Sequence, residues 1–477
     1  MTPFDEEGRL AAPEGSVIPP ICAMDAGELV GRIKARELSV LEVVSAFLDR
    51  IDDENPRVNA IVSLRPRAEI LAEAESADAA LAKGAAAGPL FGLPVAIKDL
   101  SPTKGLRTTF GSPIFRDFVP DEDGIATARM RKAGAIIIGK TNTPEFGLGS
   151  HSFNEVFGAT GNAFDPAHSA GGSSGGAAVA LALRMVPIAD GSDMGGSLRN
   201  PAAFNNVYGL RPSFGRVPSL PAGDVFSASL ATDGPMARSA DDLALLLAVQ
   251  AGADPRQPLS SGLPQIDQAP RFEGRSVRIG WLGDLDGHLA TEDGILETCE
   301  AALARLPGSR VERAELGLDP EGLWQSFTLQ RHAVIAARYG DLFADPRKRD
   351  LMKPEMQWEI ENGLKLSAMD LHRAYEVRSA LHLRLVALFE RFDILALPAA
   401  QVWPFPIEWR WPKEIAGRTM DSYHRWMECV APGTLSGCPV LAMPAGFRGG
   451  LSTGVQLIAP HGREADLIAL ATRYRQL

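Results

Sequence analysis

Apolar positions recur at helical spacing in the first part of the chain. The pattern begins at Asp25, restarts after Ser39, which is placed to cap a second helix, and is expected to end at Asn55-Pro56. Residues 67–84 are rich in Ala and Glu, two residue types with high helix propensity, and predict another helix. We therefore expect an N-terminal arm followed by helices over residues 1–80.

Short apolar runs bounded by turn or polar residues predict buried strands in the rest of the chain. Helical patterns at 124–133, 175–183, 240–251 and 464–477 separate several of them, and this alternation of helix and strand indicates an α/β protein. The predicted strands are 94–97, 135–139, 186–189, 277–281, 393–398, 440–444 and 454–458.

Three segments between these elements differ from them in composition. Residues 141–170 are rich in Gly, Asn, Ser and Pro, and a loop of that length is usually functional. Residues 254–270 have the composition of a surface connector, and 255–390 carry more charge in mostly helical patterns. We predict one large domain over 81–477, with 255–390 as a more variable helical covering layer.

Composition narrows the class of protein. The 477 residues include 59 acidic and 48 basic ones, and a net charge of −11 disfavours a broad nucleic-acid-binding face. The four cysteines lack metal-ligand spacing and are too few for a disulfide framework, which favours a reducing compartment. Residues 1–15 do not have the pattern of a signal peptide, and no apolar run is long enough for a membrane span. We expect a cytoplasmic protein.

Two glycine-rich segments each place a serine among residues with almost no side chain. The first, 171–176, contains Ser173; it lacks the lysine of a phosphate loop, fits a nucleophile elbow only loosely, and could also be a flexible linker. The second, 190–199, contains Ser197 after two glycines. Consecutive glycines let amide groups converge on one point, so Met194, Gly195, Gly196 and Ser197 are candidates for an oxyanion hole, with a tight turn as the alternative.

A serine nucleophile needs a base. Of the eight histidines, His151 and His168 lie in the long loop before the first motif and are the best candidates for a histidine base. Lys98 follows the predicted strand 94–97, where burial would lower its pKa and make a neutral amine available. The alternative for Lys98 is a surface ion pair with Asp99.

The combined motifs resemble the amidase signature family. Segments 94–99, 171–176 and 191–199 occur in the family's order, and the similarity extends through 208–218 and 454–458. The resemblance implies a single large fold, with a mixed, twisted central sheet covered by helices on both faces. It also implies an amidohydrolase that needs no metal or organic cofactor.

The resemblance further implies a Ser–cis-Ser–Lys triad. Ser197 matches the nucleophile, Ser173 the bridging serine, whose peptide bond to Gly172 would be cis, and Lys98 the base. Supporting roles fall to Gly172, Ser174, Asp193 and Arg199, the last two as scaffolding of the two loops.

Departures from the family pattern bear on the choice of function. Ala170 and Ala177 replace the proline and the small polar residue common in relatives, without touching the triad. Met194 and Asn200 stand where glutamine-amidotransferase subunits typically carry threonine and glutamine, which favours a free-standing amidase.

The substrate expected from the sequence is a small molecule. Family members cleave amides, anilides, hydrazides, esters and carbamates. The aromatic stretch 403–426 could belong to the core or to a subunit interface; if it lines the pocket, together with Phe146 and Phe153, it favours neutral aryl amides or carbamates. The rival functions are the amidase subunit of a tRNA-dependent glutamine amidotransferase and a non-catalytic binding protein. A homodimer through the N-terminal helices is a further expectation, with neither a nucleic acid nor a membrane as partner.

Overall fold

The computed structural model describes residues 2–5, 9–219, 223–227, 229–260, 262–263 and 269–475. Parts of the predicted connector, at 261 and 264–268, and the last two residues of the predicted terminal helix lie outside these ranges. The α-helices are α1 Pro20–Ala23, α2 Ala26–Lys34, α3 Val40–Val58, α4 Arg67–Ala82, α5 Ile125–Lys132, α6 Gly175–Ala182, α7 Arg199–Phe204, α8 Ala240–Gln250, α9 Ile295–Arg305, α10 Pro320–Ala344, α11 Pro346–Arg349, α12 Pro354–Gly363, α13 Ala368–Arg391, α14 Ala431–Ser436 and α15 Glu464–Arg475.

Seven of the strands in the described residues fall close to the predicted apolar runs, and the other eight were not predicted. They are β1 Ile61–Val62, β2 Pro94–Lys98, β3 Ile136–Thr141, β4 Phe153–Asn154, β5 Gly158–Ala159, β6 Ile188–Asp193, β7 Tyr208–Arg211, β8 Thr232–Ala237, β9 Val277–Trp281, β10 Ser309–Arg313, β11 Ile394–Pro398, β12 Glu414–Ile415, β13 Arg418–Thr419, β14 Val440–Arg448 and β15 Leu451–Ile458.

A mixed eight-stranded sheet forms the centre of the molecule. Its order is β10-β9-β11-β15-β14-β7-β8-β6. Strands β10, β9 and β11 pair in parallel, whereas every other neighbouring pair is antiparallel. Strands β9, β11, β14 and β15 are almost wholly buried, so their sequences consist largely of consecutive apolar residues. This is why these four strands could be predicted from the sequence.

Strand β10 was not predicted. It lies at the end of the sheet, and its residues Ser309–Arg313 are mostly exposed and charged. A polar edge strand has no apolar run from which a sequence pattern could identify it, and charges of this kind protect an edge from pairing with another chain.

The strand that carries Lys98 belongs to a second, three-stranded sheet of order β1-β3-β2. Strand β2 pairs in parallel with β3 and lies beside β6 of the large sheet. The two sheets are joined at this point by a side chain, since the Lys98 amide donates to the Asp190 carboxylate at 2.9 Å. The catalytic candidates therefore lie where the two sheets meet.

The N-terminal helices pack into the same apolar core as the main body. Ser39 caps α3 through a capping box with Glu42, as its position predicted. The predicted end at Asn55-Pro56 was wrong, because α3 continues through Pro56 to Val58 and ends at Asn59 in the left-handed conformation. The proline falls in the last turn, where its missing N–H removes only one helical hydrogen bond.

The long loop 141–170 is ordered around a short 3₁₀ turn at Glu145–Gly147 and the β4-β5 hairpin. Most of its residues are buried, and its backbone passes close to the first serine motif. None of the described helices is both long and apolar enough to cross a bilayer.

Candidate active site

Lys98 is the last residue of β2, and its side chain is fully buried. Its Nζ lies 2.8 Å from both Ser173 Oγ and Ser174 Oγ. The hydroxyl of Ser192 lies 3.0 Å from the same nitrogen, and the Ser192 carbonyl oxygen lies 3.3 Å from it. These four oxygens replace water around the amine, and no carboxylate is among them.

Burial lowers the pKa of Lys98 to about 7, although the nearby carboxylates Asp190, Asp233 and Asp193 act in the opposite direction. Because this value lies near neutral pH, a large fraction of the amine is uncharged there. The alternative surface pair with Asp99 is wrong. Asp99 is buried and instead accepts hydrogen bonds from the amide and hydroxyl of Thr109.

The first serine motif joins the long loop to α6. The peptide bond between Gly172 and Ser173 is cis, as the family resemblance implied. A side chain at position 172 has no room, because a Cβ there would lie 2.9 Å from the amide nitrogen of His151. The motif is therefore a packed element of the site, and its interpretation as a flexible linker is wrong.

The second serine motif is the turn between β6 and α7. Ser197 is 7% exposed, so it is buried but not completely sealed from solvent. Its carbonyl accepts a hydrogen bond from the Ser174 amide at 3.2 Å, which holds the two serine loops together. Within the described ranges, the Ser197 hydroxyl donates to no protein acceptor and is available to a substrate.

One of the four predicted oxyanion-hole donors is already engaged. The Gly196 amide donates to Asp193 Oδ1 at 2.9 Å, so it does not point at a substrate oxygen. Gly196 has φ +90°, and this left-handed conformation turns its amide back towards the strand end. The candidate donors are reduced to the amides of Met194, Gly195 and Ser197.

The Asp193–Arg199 ion pair supports the second loop from beneath. Both side chains are completely buried, and Arg199 donates to both Asp193 oxygens at 3.0 Å. Arg199 also donates to Gln456 Oε1 and Thr434 Oγ1, which ties the loop to β15 and α14. Burial alone would raise the pKa of Asp193, but Arg199 and a second arginine hold it well below its ordinary value.

The two candidate histidines are used elsewhere. His151 Nε2 donates to the Ile407 carbonyl, and its Nδ1 accepts from the Ser169 hydroxyl. Burial lowers the pKa of His151 to about 4. His168 pairs with Asp165 at 2.8 Å. In the described part of the chain neither ring contacts Ser173 or Ser197, whereas the amine of Lys98 contacts Ser173.

The two predicted pocket phenylalanines lie in different places. Phe146 is buried in an apolar cluster and packs on Tyr339 with ring centroids 4.6 Å apart. Phe153 lies between the cations Lys353 and Arg410. It borders a small cavity that also includes Leu148, Gly149, Ser150, Trp411, Tyr423 and Trp426.

Several residues near the site were not identified from the sequence. Ser192 could have been, because alternation along β6 puts it on the same face as Asp190, towards Lys98. Arg331 and Tyr423 carry no such signal. They come from α10 and from the loop after β13, and they meet only through tertiary packing.

One group of side chains in the described ranges has the spacing of a metal site, namely His288, Glu321 and Glu428, whose ligand atoms lie within 4.8 Å of one another. Arg425 donates to Glu321 at 2.6 Å, and its Nε lies 3.0 Å from a Glu428 oxygen. The guanidinium of Arg425 therefore already supplies the positive charge that balances these two carboxylates. The triad residues offer no comparable ligand set.

Known proteins share this fold and these motifs. The Amidase family model matches residues 42–468. A glutamyl-tRNA(Gln) amidotransferase subunit from Thermus thermophilus is 37% identical, covering 95% of this chain and 97% of the relative. A bacterial aryl acylamidase of the amidase signature family superposes with a TM-score of 0.89 at 27% identity, covering 96% of this chain and 97% of that one.

A third relative is 6-aminohexanoate cyclic dimer hydrolase, solved with its substrate, with a TM-score of 0.82 at 26% identity over 96% of this chain and 97% of that one. The chain belongs to the amidase signature family. It is accordingly an enzyme that acts on carbon–nitrogen bonds, and its mixed α/β architecture matches that of the family's solved structures.

Proposed function

We propose that the protein is a serine amidohydrolase that cleaves small-molecule amides through an acyl-enzyme. The observation that carries the proposal is the contact between the Lys98 amine and Ser173 Oγ at 2.8 Å. Burial lowers the pKa of that amine to about 7, so it can take up a proton at neutral pH. Ser173 in turn belongs to a loop that is hydrogen-bonded to the loop of Ser197.

The proposed reaction begins when Ser197 Oγ attacks the scissile carbonyl carbon. The Ser197 proton passes to Ser173 Oγ as the Ser173 proton passes to Lys98 Nζ, which leaves an ammonium and a tetrahedral oxyanion. The amides of Met194, Gly195 and Ser197 are the donors proposed to stabilise that oxyanion.

Collapse of the intermediate breaks the carbon–nitrogen bond. The proton returns from Lys98 through Ser173 to the leaving nitrogen, so a neutral amine departs. Water then attacks the ester of Ser197 by the same relay and releases the acid. Lys98 ends the cycle neutral, and every proton is accounted for by groups of this chain and one water.

We propose neutral aryl or alkyl amides as the substrate class, with carbamates and esters as related acyl compounds. The aromatic residues Trp411, Tyr423 and Trp426 line the small cavity beside Phe153 and support this choice through their apolar rings. Lys353 and Arg410 line the same cavity, but Lys353 is hydrogen-bonded to the Leu148 carbonyl and Arg410 is paired with Glu355. The similarity to an aryl acylamidase at 27% identity points in the same direction.

The test is hydrolysis of a panel of p-nitroanilides, primary amides, carbamates and esters by the purified protein. A fluorophosphonate should label Ser197, and Ser197→Ala should lose both labelling and turnover. His168→Ala is the matched control and should retain both. Turnover that survives in Ser197→Ala would exclude the proposed nucleophile.

The amidase subunit of a glutamine amidotransferase is the second candidate. The 37% identity to one such protein over nearly the whole chain favours it, whereas Met194 and Asn200 argue against it. Ammonia release from glutamine, together with co-purification of partner subunits, would support it. Efficient anilide hydrolysis by the protein alone, without glutaminase activity, would exclude it.

We also propose that the protein is a homodimer. Measurement of the molecular mass of the purified protein in solution tests this.

A further inference from the structure

Arg331, on α10, is a buried cation beside the proposed nucleophile loop and is only 2% exposed. Its Nε donates to Glu359 Oε1 at 2.6 Å, and its Nη2 donates to the Tyr423 hydroxyl at 2.8 Å. The Tyr423 hydroxyl itself donates to Glu359. Three elements distant in sequence therefore converge on one carboxylate.

The charge of this cluster is balanced internally. Burial would raise the pKa of Glu359, but Arg331 and its other partners hold it well below its ordinary value, so it is an anion. Burial lowers the pKa of the neighbouring His424 to about 3, which leaves that ring neutral. The other oxygen of Glu359 is hydrogen-bonded to Nδ1 of His332, at 2.5 Å. Arg331 and Glu359 carry opposite charges that balance, so the guanidinium offers a hydrogen bond with little net attraction for an anion.

Among the residues that the structure describes, the remaining nitrogen of Arg331 has only a weak acceptor. Nη1 lies 3.6 Å from Met194 Sδ, and a thioether is a weak acceptor. A Cβ built on Gly195 would lie 3.8 Å from the same nitrogen and 2.9 Å from the ring of Phe327. This donor therefore lies beside Met194 and Gly195, two of the three residues whose amides are proposed to hold the oxyanion.

The Met194 side chain covers this donor and is itself partly exposed. Methionine is unbranched and flexible, so its side chain can yield to a ligand at small cost. A substrate oxygen that replaced the sulfur would gain a hydrogen bond from a charged donor in a dry environment, which is stronger than one between neutral groups.

We propose that Arg331 is a specificity-determining residue that binds a second, uncharged oxygen acceptor of the substrate, such as a carbonyl oxygen near the scissile amide. The acceptor is uncharged because Glu359 already balances the guanidinium. The inference rests on the proposed function, and it narrows the substrate class to amides that carry another carbonyl group.

The experiment compares substrate pairs that differ only in one carbonyl. On the acyl side the pair is 4-oxopentanoyl and pentanoyl p-nitroanilide; on the amine side it is the acetanilides that carry a 4-acetyl or a 4-ethyl group. The wild-type protein should prefer the carbonyl member of at least one pair by roughly tenfold or more in kcat/KM, the range expected for a hydrogen bond to a charged group.

The main variant combines Arg331→Met with Glu359→Gln, which removes the cation and its counter-charge together. It should bring the preferred ratio to about one while the pentanoyl substrate is still cleaved. Arg347→Met, at an exposed arginine of α11, is the control and should leave the ratio unchanged. Glu359→Gln alone should keep the preference and improve cleavage of succinyl p-nitroanilide, whose carboxylate then meets an unbalanced guanidinium.

The outcomes separate the two proposals. If wild type cleaves the plain substrates but shows no carbonyl preference, or if the preference survives in the double variant, Arg331 does not bind a substrate acceptor and the inference is overturned. If wild type cleaves none of the substrates and the fluorophosphonate does not label Ser197, the proposed function itself is overturned. A purely structural role would lower both members of a pair equally and leave their ratio unchanged.

Discussion

Replacement of Lys98 by methionine should abolish activity and, near neutral pH, stabilise the folded protein. Methionine has a similar length and needs no hydration, whereas burial lowers the pKa of the lysine from its ordinary 10.5 to about 7. At about 1.4 kcal/mol per pKa unit, that shift means that burying the charged amine lowers the free energy of unfolding by roughly 5 kcal/mol. The variant also loses the amine's hydrogen bonds with the hydroxyls of Ser173, Ser174 and Ser192. Each lost hydrogen bond reduces the gain in stability by about 1 kcal/mol.

The sign of the pH dependence follows from linkage. Below about pH 7 both the folded and the unfolded lysine are protonated, so the cost of burying the charge is paid in full. Between about pH 7 and 10.5 only the unfolded state binds the proton, and the wild-type protein becomes more stable relative to the variant as the pH rises. The stability advantage of Lys98→Met should fall by roughly 2 kcal/mol between about pH 7 and 9.

Urea unfolding of both proteins at several pH values measures this difference directly. The kcat/KM of the wild-type protein for an anilide should rise with pH through the same region, with a midpoint near the Lys98 pKa of about 7, because only the neutral amine accepts a proton. A stability difference that does not change between about pH 6 and 9 would show that the folded lysine titrates normally, and the assignment of Lys98 as base would then fail.

Three further predictions concern the loops around the site. Gly196→Ala should lower both stability and activity, because the new Cβ would lie 2.3 Å from Asn200 Oδ1 at a φ of +90°; a thermal melt and an anilide assay check this, and an unchanged melt would refute it. Arg199→Met should destabilise by about 3–5 kcal/mol in urea, since it removes the arginine that contacts both oxygens of the buried Asp193 carboxylate and leaves only the more distant Arg211, at 3.5 Å, to balance it; a loss below about 1 kcal/mol would mean that the pair does little for stability. His151→Ala should keep kcat/KM within a few-fold of wild type, whereas a loss comparable to that of a triad variant would return the histidine base to consideration.

The catalytic candidates have local signals in the sequence, but their roles as a triad followed only from the resemblance to the amidase signature family. Ser173 and Ser197 lie in glycine-rich turns that few other structures require, and Lys98 ends an apolar strand, so each has a signal within a few residues of itself. The structure places Lys98 and Ser173 in contact and ties the Ser197 loop to them through the Ser174 amide.

What could not be predicted depends on packing between distant segments. Arg331, Glu359 and Tyr423 come from α10, α12 and an irregular loop, and no periodicity relates them. The Gly196 amide was assigned to the oxyanion hole because glycines alone do not reveal which amides a neighbouring carboxylate will take. At Pro56 the local sequence predicted the end of a helix, but α3 continues through the proline to Val58 because the helix is well packed against the core.

The division of the fold into two sheets has a consequence for how activity is lost. Lys98, the proposed base, lies on the three-stranded sheet, whereas Ser197, the proposed nucleophile, follows a strand of the eight-stranded sheet, and the Lys98–Asp190 hydrogen bond joins the two sheets. Partial separation of the sheets would part base from nucleophile while most helices and strands stayed intact. Turnover should therefore be lost at lower urea concentrations than the far-ultraviolet circular dichroism signal of the helices and strands. Loss of activity would then report separation of the two sheets before the protein unfolds.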